Sequence, residues 1–195
     1  VWRLESATPT ALAGPQSVAM PCWSPDSRSI AYFEYATRGL CTIPAAGGTP
    51  TRLCDFIDAR GLAWGAKNVL VFAPTPSGPL YKIEAKGGTP EQATELDTAA
   101  GETSHRYPVM LPDGEHFLFT ALPGGPEGFS IRVGSLRSRR SHEVLKAQSG
   151  VTVTSGGWLV FVRDGRLLAQ KFDTRALRAT GDAVTFADAS RRCAA

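Results

Sequence analysis

The sequence predicts an all-β fold, a β-propeller built from four-stranded antiparallel blades, and three observations carry that prediction. Short runs rich in β-branched and aromatic residues, such as Ile30 to Tyr35, are separated by Pro-Asp, Asp-Gly and Gly-Gly turns. The turns recur: Gly47-Gly48-Thr49-Pro50 returns as Gly87-Gly88-Thr89-Pro90, Trp23 as Trp64, and Pro25-Asp26 as Pro112-Asp113 two repeats later. That spacing is the roughly 40–45 residues one propeller blade needs. No helical period of any length is present. A four-stranded sheet with two apolar faces cannot bury both by itself, so successive units must stack, and a propeller stacks them while leaving only short edges.

Taken in order, Val1-Trp2-Arg3-Leu4 and Thr10-Ala11-Leu12 read as the outer strands of a partial N-terminal blade, residues 1–14. The first complete blade covers residues 18–54. Its first strand ends at Trp23, Pro25 presets φ for the reversal, and Asp26 and Ser27 can bond the local backbone. Gly39 turns the chain into Leu40-Cys41-Thr42-Ile43, and Gly47-Gly48 turns it again into the polar edge strand Thr51-Arg52-Leu53. Residues 59–95 repeat the plan, with Gly65-Ala66-Lys67-Asn68 where a Pro-Asp turn is expected. Residues 105–145 and 150–187 form the third and fourth blades, the last with Ser155-Gly156-Gly157 at its first turn. Three arrangements accommodate four blades and a partial one: a segment of a longer propeller, a small ring with an incomplete blade, or two copies completing one ring. Exposed strand edges favour association, a homodimer in the simplest case.

At 195 residues and 43% hydrophobic content the chain is one domain with a substantial core. No signal peptide opens it, and its longest apolar run is far short of a membrane span. A net charge of +3 is too mild to argue for nucleic acid. The four cysteines form no CxxC pair, which removes the usual zinc and redox patterns. Cys41 and Cys54 lie symmetrically about the Gly47-Gly48 hairpin centre, as two small buried residues or as a cross-strand disulfide.

First strands of propeller blades line the central channel. Aligning the repeats puts Arg60 and Arg106 at one level near the channel mouth, with His105 beside the second. Two converging guanidinium forks would hold a carboxylate or small anion; the alternative is that each pairs with acids or water between blades. Asp26, Asp113 and Asp164 belong to turns on separate blades, so they read as turn residues rather than a metal site. Ser135 to Ser141 forms a basic hairpin tip on the third blade, a solvated loop or a docking patch for an acidic partner. Trp23, Trp64 and Trp158 read as packing between blades. No GxSxG, HExxH, P-loop or GxGxxG occurs, and His105, His116 and His142 lie on different strands or loops. No catalytic residue, metal ligand or cofactor site is expected.

WSPDSRSIAYF from Trp23, the two GGTP turns, and RYPVMLPDGEHFLF from Arg106 with LVFVRDGRLLAQKFD from Leu159 resemble the TolB-like propeller repeats of bacterial proteins. They are most similar to the sensor propellers attached to bacterial Ser/Thr protein kinases, and less so to the propellers of dipeptidyl-peptidase-type serine peptidases. The resemblance implies a cell-envelope setting for many relatives. Nothing resembles a kinase or peptidase catalytic domain. The expected function is therefore non-enzymatic: a scaffold that binds a peptide, small anion or protein at one face. The alternatives are an accessory propeller gating a serine peptidase, and a propeller hydrolase or lyase with a channel site.

Overall fold

The computed structural model describes Leu12 and residues 17–125 and 128–188, and the regular elements among them are all strands. Sixteen strands form four antiparallel sheets, each an uninterrupted meander. Blade 1 holds β1 (Val18–Trp23), β2 (Ser29–Glu34), β3 (Gly39–Pro44) and β4 (Thr51–Asp55). Blade 2 holds β5 (Leu62–Trp64), β6 (Val69–Phe72), β7 (Tyr81–Glu84) and β8 (Glu91–Gln92). Blade 3 holds β9 (Ser104–Met110), β10 (His116–Gly125), β11 (Gly128–Ser135) and β12 (Ser138–Ala147). Blade 4 holds β13 (Thr152–Val153), β14 (Trp158–Arg163), β15 (Arg166–Asp173) and β16 (Arg178–Asp188). The expected partial N-terminal blade lies outside the described residues except for Leu12. Among the described residues no helix is long and apolar enough to cross a membrane.

The turns close through the side chains their sequence supplies. Asp26 Oδ1 accepts from the Ser24 hydroxyl at 2.6 Å and from Arg28 N–H at 3.1 Å. Asp113 Oδ1 accepts from the N–H groups of Glu115 and His116 at 2.8 and 2.9 Å. Each aspartate thus serves its own reversal, and both are held below the usual carboxylate pKa, Asp26 chiefly by its Ser24 bond.

Period-two alternation gives every blade two faces. The face turned toward the next blade, here called forward, carries Ala31, Phe33, Leu40 and Leu53 in blade 1, which meet Leu70, Phe72 and Ile83 of blade 2. Blade 2 turns Val71, Ala73, Leu80 and Ala93 toward Phe117, Phe119 and Ala121 of blade 3. Blade 3 turns Leu118, Ile131, Val133 and Leu145 toward Leu159, Phe161, Leu168 and Phe172 of blade 4. Neighbouring residues on one strand therefore belong to different joints, which is why β2 and β10 read as nearly continuous apolar runs. Trp64 packs into the first of these joints, as inter-blade packing requires, whereas Trp23 is 48% exposed. Lys171 lies over the Trp158 ring, 4.4 Å from its centroid.

The cysteine hairpin departs from its symmetric reading. A bulge between Leu40 and Cys41 pairs Cys54 with Leu40 and Cys41 with Arg52. Cys41 consequently joins the backward-facing cluster of blade 1, Cys54 packs against the forward one, and both thiols are free. No cross-strand disulfide is possible from opposite faces of a sheet. Burial pushes the Cys54 thiol up to about 11.

Candidate functional site

The innermost strands carry a repeated irregularity. Met20, Gly61 and Tyr107 occupy equivalent positions, related by the offsets that carry Trp23 onto Trp64 and Pro25 onto Pro112, and all three have positive φ, at 52°, 130° and 52°. In β1 and β9 the residue sits at a bulge that breaks the pairing with the second strand. For Tyr107, a non-glycine residue, this left-handed conformation stores roughly 1–3 kcal/mol of strain that the surroundings must hold in place. They do so from both sides. A Cβ on Gly61 would stand 2.7 Å from Tyr107 N and Cα, so only glycine permits this approach of blades 2 and 3, while the Cβ position of Gly150 lies 3.7 Å from Tyr107 Cβ. Tyr107 N–H donates to Arg60 O at 2.9 Å. Tyr107 remains 44% exposed.

Arg60 lies beside it. Its guanidinium is gripped by Asp58, with Nη1–Oδ1 at 2.5 Å and Nη2–Oδ2 at 2.6 Å, and Nη1 also donates to Ala59 O. The pKa of Arg60 is raised, chiefly by the Asp58 hydrogen bond, with smaller contributions from the nearby Tyr35 and Tyr107 phenols. Tyr35 is fixed edge-on against Phe56 at 5.1 Å, and Ile57, in the same link, is 63% exposed. Arg60 thus lies near both phenols, with Ile57 exposed in the link that leads to it.

The other two residues singled out in the sequence lie elsewhere. Arg106 donates from Nη2 to Pro76 O at 2.6 Å and from Nε to Ser104 Oγ at 3.0 Å, tying blade 3 to the β6–β7 loop of blade 2. The two guanidinium forks are therefore each engaged separately. His105 does not flank the mouth but is fully buried, 4.5 Å from the Phe119 ring. His105 Nε2 donates to the Glu102 carboxylate at 2.9 Å, so in the neutral ring Nδ1 accepts from the Thr94 hydroxyl at 2.8 Å. Thr94 Oγ1 itself accepts from Leu80 N–H at 2.9 Å. Glu102 also meets Arg132 Nη1 at 3.2 Å, and Arg132 is bonded in turn to the Ser141 hydroxyl. The order hydroxyl, imidazole, carboxylate is that of a nucleophilic triad, but Thr94 and His105 are both 0% exposed, so no substrate reaches the hydroxyl. Here the arrangement joins blade 2 to blade 3.

Burial holds the His105 pKa below its ordinary value, against the upward pull of Glu102. The fold prefers the neutral ring, so the stability this group contributes is complete above about pH 6.5 and is lost as pH falls below that value. The urea midpoint is expected to be level between about pH 7 and 8 and to fall toward pH 5. In His105→Gln that fall should flatten; an unchanged slope would assign it to other groups.

On the face formed by the β1–β2 and β3–β4 turns and their equivalents, a groove of about 520 Å³ runs between blades 2 and 3. Its charges are mutually satisfied: Lys67 and Arg137 pair with Glu115 at 2.8 and 2.9 Å, and Lys82 with Glu91 at 3.5 Å. In the basic hairpin tip Arg139 and Arg140 are exposed. Among the described residues no three His, Cys, Asp or Glu side chains gather as a metal site requires.

Tyr107, Tyr35 and Asp58 were not among the residues the sequence singled out. The available signal was Tyr107-Pro108 standing where the first blade has Met20-Pro21.

The sequence matches no family model and no curated protein. Its backbone is similar to several solved structures. TolB from Acinetobacter baumannii shares 12% identity at a TM-score of 0.60, over 84% of this chain and 44% of that one. A gluconolactonase from Xanthomonas campestris shares 17% at 0.64, over 87% and 62%. The β-propeller domain of Cps50 (Swd1) from Myceliophteria thermophila shares 13% at 0.62, over 89% and 59%. The chain spans about half the length of the structures it matches. At such identities the likeness speaks for fold and not for activity: the chain is a partial β-propeller of four blades.

Proposed function

We propose that this chain is a non-enzymatic binding module, a propeller segment of the bacterial sensor type attached to Ser/Thr kinases, whose mouth at blades 1 to 3 takes a peptide or a protein segment. One observation carries the reading: Tyr107 is held half-open in a strained conformation near Arg60, which also lies near Tyr35 and follows the exposed Ile57 in the chain. Tyrosine, arginine and an apolar neighbour on rigid strands are the chemistry of interface hot spots, because they offer large contact area with little side-chain freedom to lose. Asp58 already occupies the Arg60 fork, which favours a peptide surface over a small free anion.

The test is a peptide-display selection against the immobilised chain, followed by affinity measurement on the double variant Tyr107→Ala/Ile57→Ser. Selected peptides are expected to lose at least about 10-fold in affinity, equivalent to roughly 1.4 kcal/mol. Peptides indifferent to both substitutions would remove the mouth from the proposal.

A further inference from the structure

Beside the groove between blades 2 and 3, on the same face, a second groove of about 390 Å³ runs between blades 1 and 2. Both of its walls are four-stranded blades. Register sets what lines it. Ser29 and Thr42 stand on the forward face of blade 1, in line with Ala31 and Leu40, which are buried against blade 2. Opposite them blade 2 presents Trp64 at the end of β5 and Asn68 in its first turn, and the first turn of blade 1 adds Asp26. Among the described residues the side chains of Ser29, Thr42 and Asn68 make no hydrogen bond. Asp26 uses Oδ1 for its own turn, which leaves Oδ2 as an acceptor. The lysines at the rim are instead neutralised, Lys67 by Glu115 at 2.8 Å and Lys86 by Glu84 at 2.7 Å. The repeat does not require this polar set. In the neighbouring groove the places of Ser29 and Thr42 belong to Val69 and to Lys82, whose Nζ donates to Leu136 O at 2.7 Å. The places of Trp64 and Asn68 belong there to Met110 and Gly114.

We propose that the groove between blades 1 and 2 binds a neutral saccharide of one or two rings. Hydroxyl and amide side chains both donate and accept, as each sugar hydroxyl does, and a carboxylate oxygen accepts from sugar hydroxyls. Trp64 supplies an apolar wall for the C–H face of a ring. A few placed polar groups beside an aromatic side chain, in a cleft of this volume, are what a small-molecule site requires. Because the cations at the rim are already paired, the groove offers an anion no free counter-charge. The site lies at the far end of β5 from Arg60, so it stands apart from the peptide surface proposed above.

The experiment is saturation-transfer-difference NMR with calorimetric titration of the purified chain. The probes are glucose, galactose, N-acetylglucosamine, maltose and cellobiose, with glucuronate as the charged counterpart, each up to about 20 mM, a range in which a millimolar Kd is populated. At least one neutral sugar is expected to bind with a Kd of about 1 mM or tighter, and more tightly than glucuronate. Ser29→Ala/Thr42→Val removes both hydroxyls at nearly constant shape and is expected to weaken that binding at least about 10-fold. Should the pair disturb folding, as read by circular dichroism, Asn68→Gly is expected to weaken binding with the fold intact, since Asn68 has a φ of 57° that glycine adopts freely. Tyr107→Ala/Ile57→Ser is expected to bind the sugar as the wild type does. Binding of none of the neutral sugars, or a preference for glucuronate, would overturn the proposal. So would binding that ignores the groove substitutions or is lost in Tyr107→Ala/Ile57→Ser, either of which would place the sugar on another surface.

Discussion

Phe33→Ala is expected to destabilise the chain by about 3–5 kcal/mol, the range for deleting a fully buried phenyl group. The ring is 0% exposed, stands edge-on to Phe56 at 4.8 Å and lies 6.4 Å from Phe72 across the joint between blades 1 and 2. Leu40 and Phe72 beside it sit on two different sheets, so neither can move into the space without breaking its own ladder, and the cavity stays largely open. Thermal unfolding should drop by roughly 6–20 °C for a chain of this size. The effect should also be local, because each blade touches only its neighbours. Amide exchange should quicken in β2, β3 and β6 and stay near wild type in β14 and β15. Equal acceleration across all four blades would contradict the stacked arrangement of joints.

Glu102→Ala is the second large effect, about 3–5 kcal/mol by the measure of buried pairs broken from one side. Glu102 is 7% exposed and is shared by three donors: His105 Nε2 at 2.9 Å, Asp97 N–H at 2.8 Å and Arg132 at 3.2 Å. Removing the carboxylate leaves the Arg132 guanidinium, whose side chain is 15% exposed, without its counter-charge in a poorly solvated place. Glu102→Gln keeps an acceptor but not the charge, and should fall between wild type and alanine in a denaturant titration. The double variant Glu102→Leu/Arg132→Met should recover part of the loss, because it removes both charges. If it were no better than Glu102→Ala, the charge pairing would not be the source of the effect.

Much of the architecture was legible because it rests on local rules. Pro25-Asp26 and Pro112-Asp113 close turns with their own side chains, and alternation in Ile30 to Tyr35 or His116 to Ala121 assigns residues to faces by period two alone. The site was less legible. Arg60 was found because repeats align, but its partner Asp58 lies in a link where no repeat constrains the path, and Tyr107 owes its exposure to a left-handed bulge that alternation does not reveal. Cys41 and Cys54 were placed together by symmetry and separated by a single bulged residue. His105, beside Arg106 in sequence, went to the core because Thr94 and Glu102 arrive there from the preceding link and satisfy both of its nitrogens.

By itself the sequence determined the number of blades, the order of strands within them and the residues of the repeated turns, since each depends on neighbours a few positions away. Tertiary structure alone decided which side chains meet between blades, which partners each arginine takes and that His105 goes to the core. Those outcomes depend on bulges and on contacts between residues far apart in the chain, and no local period carries that information.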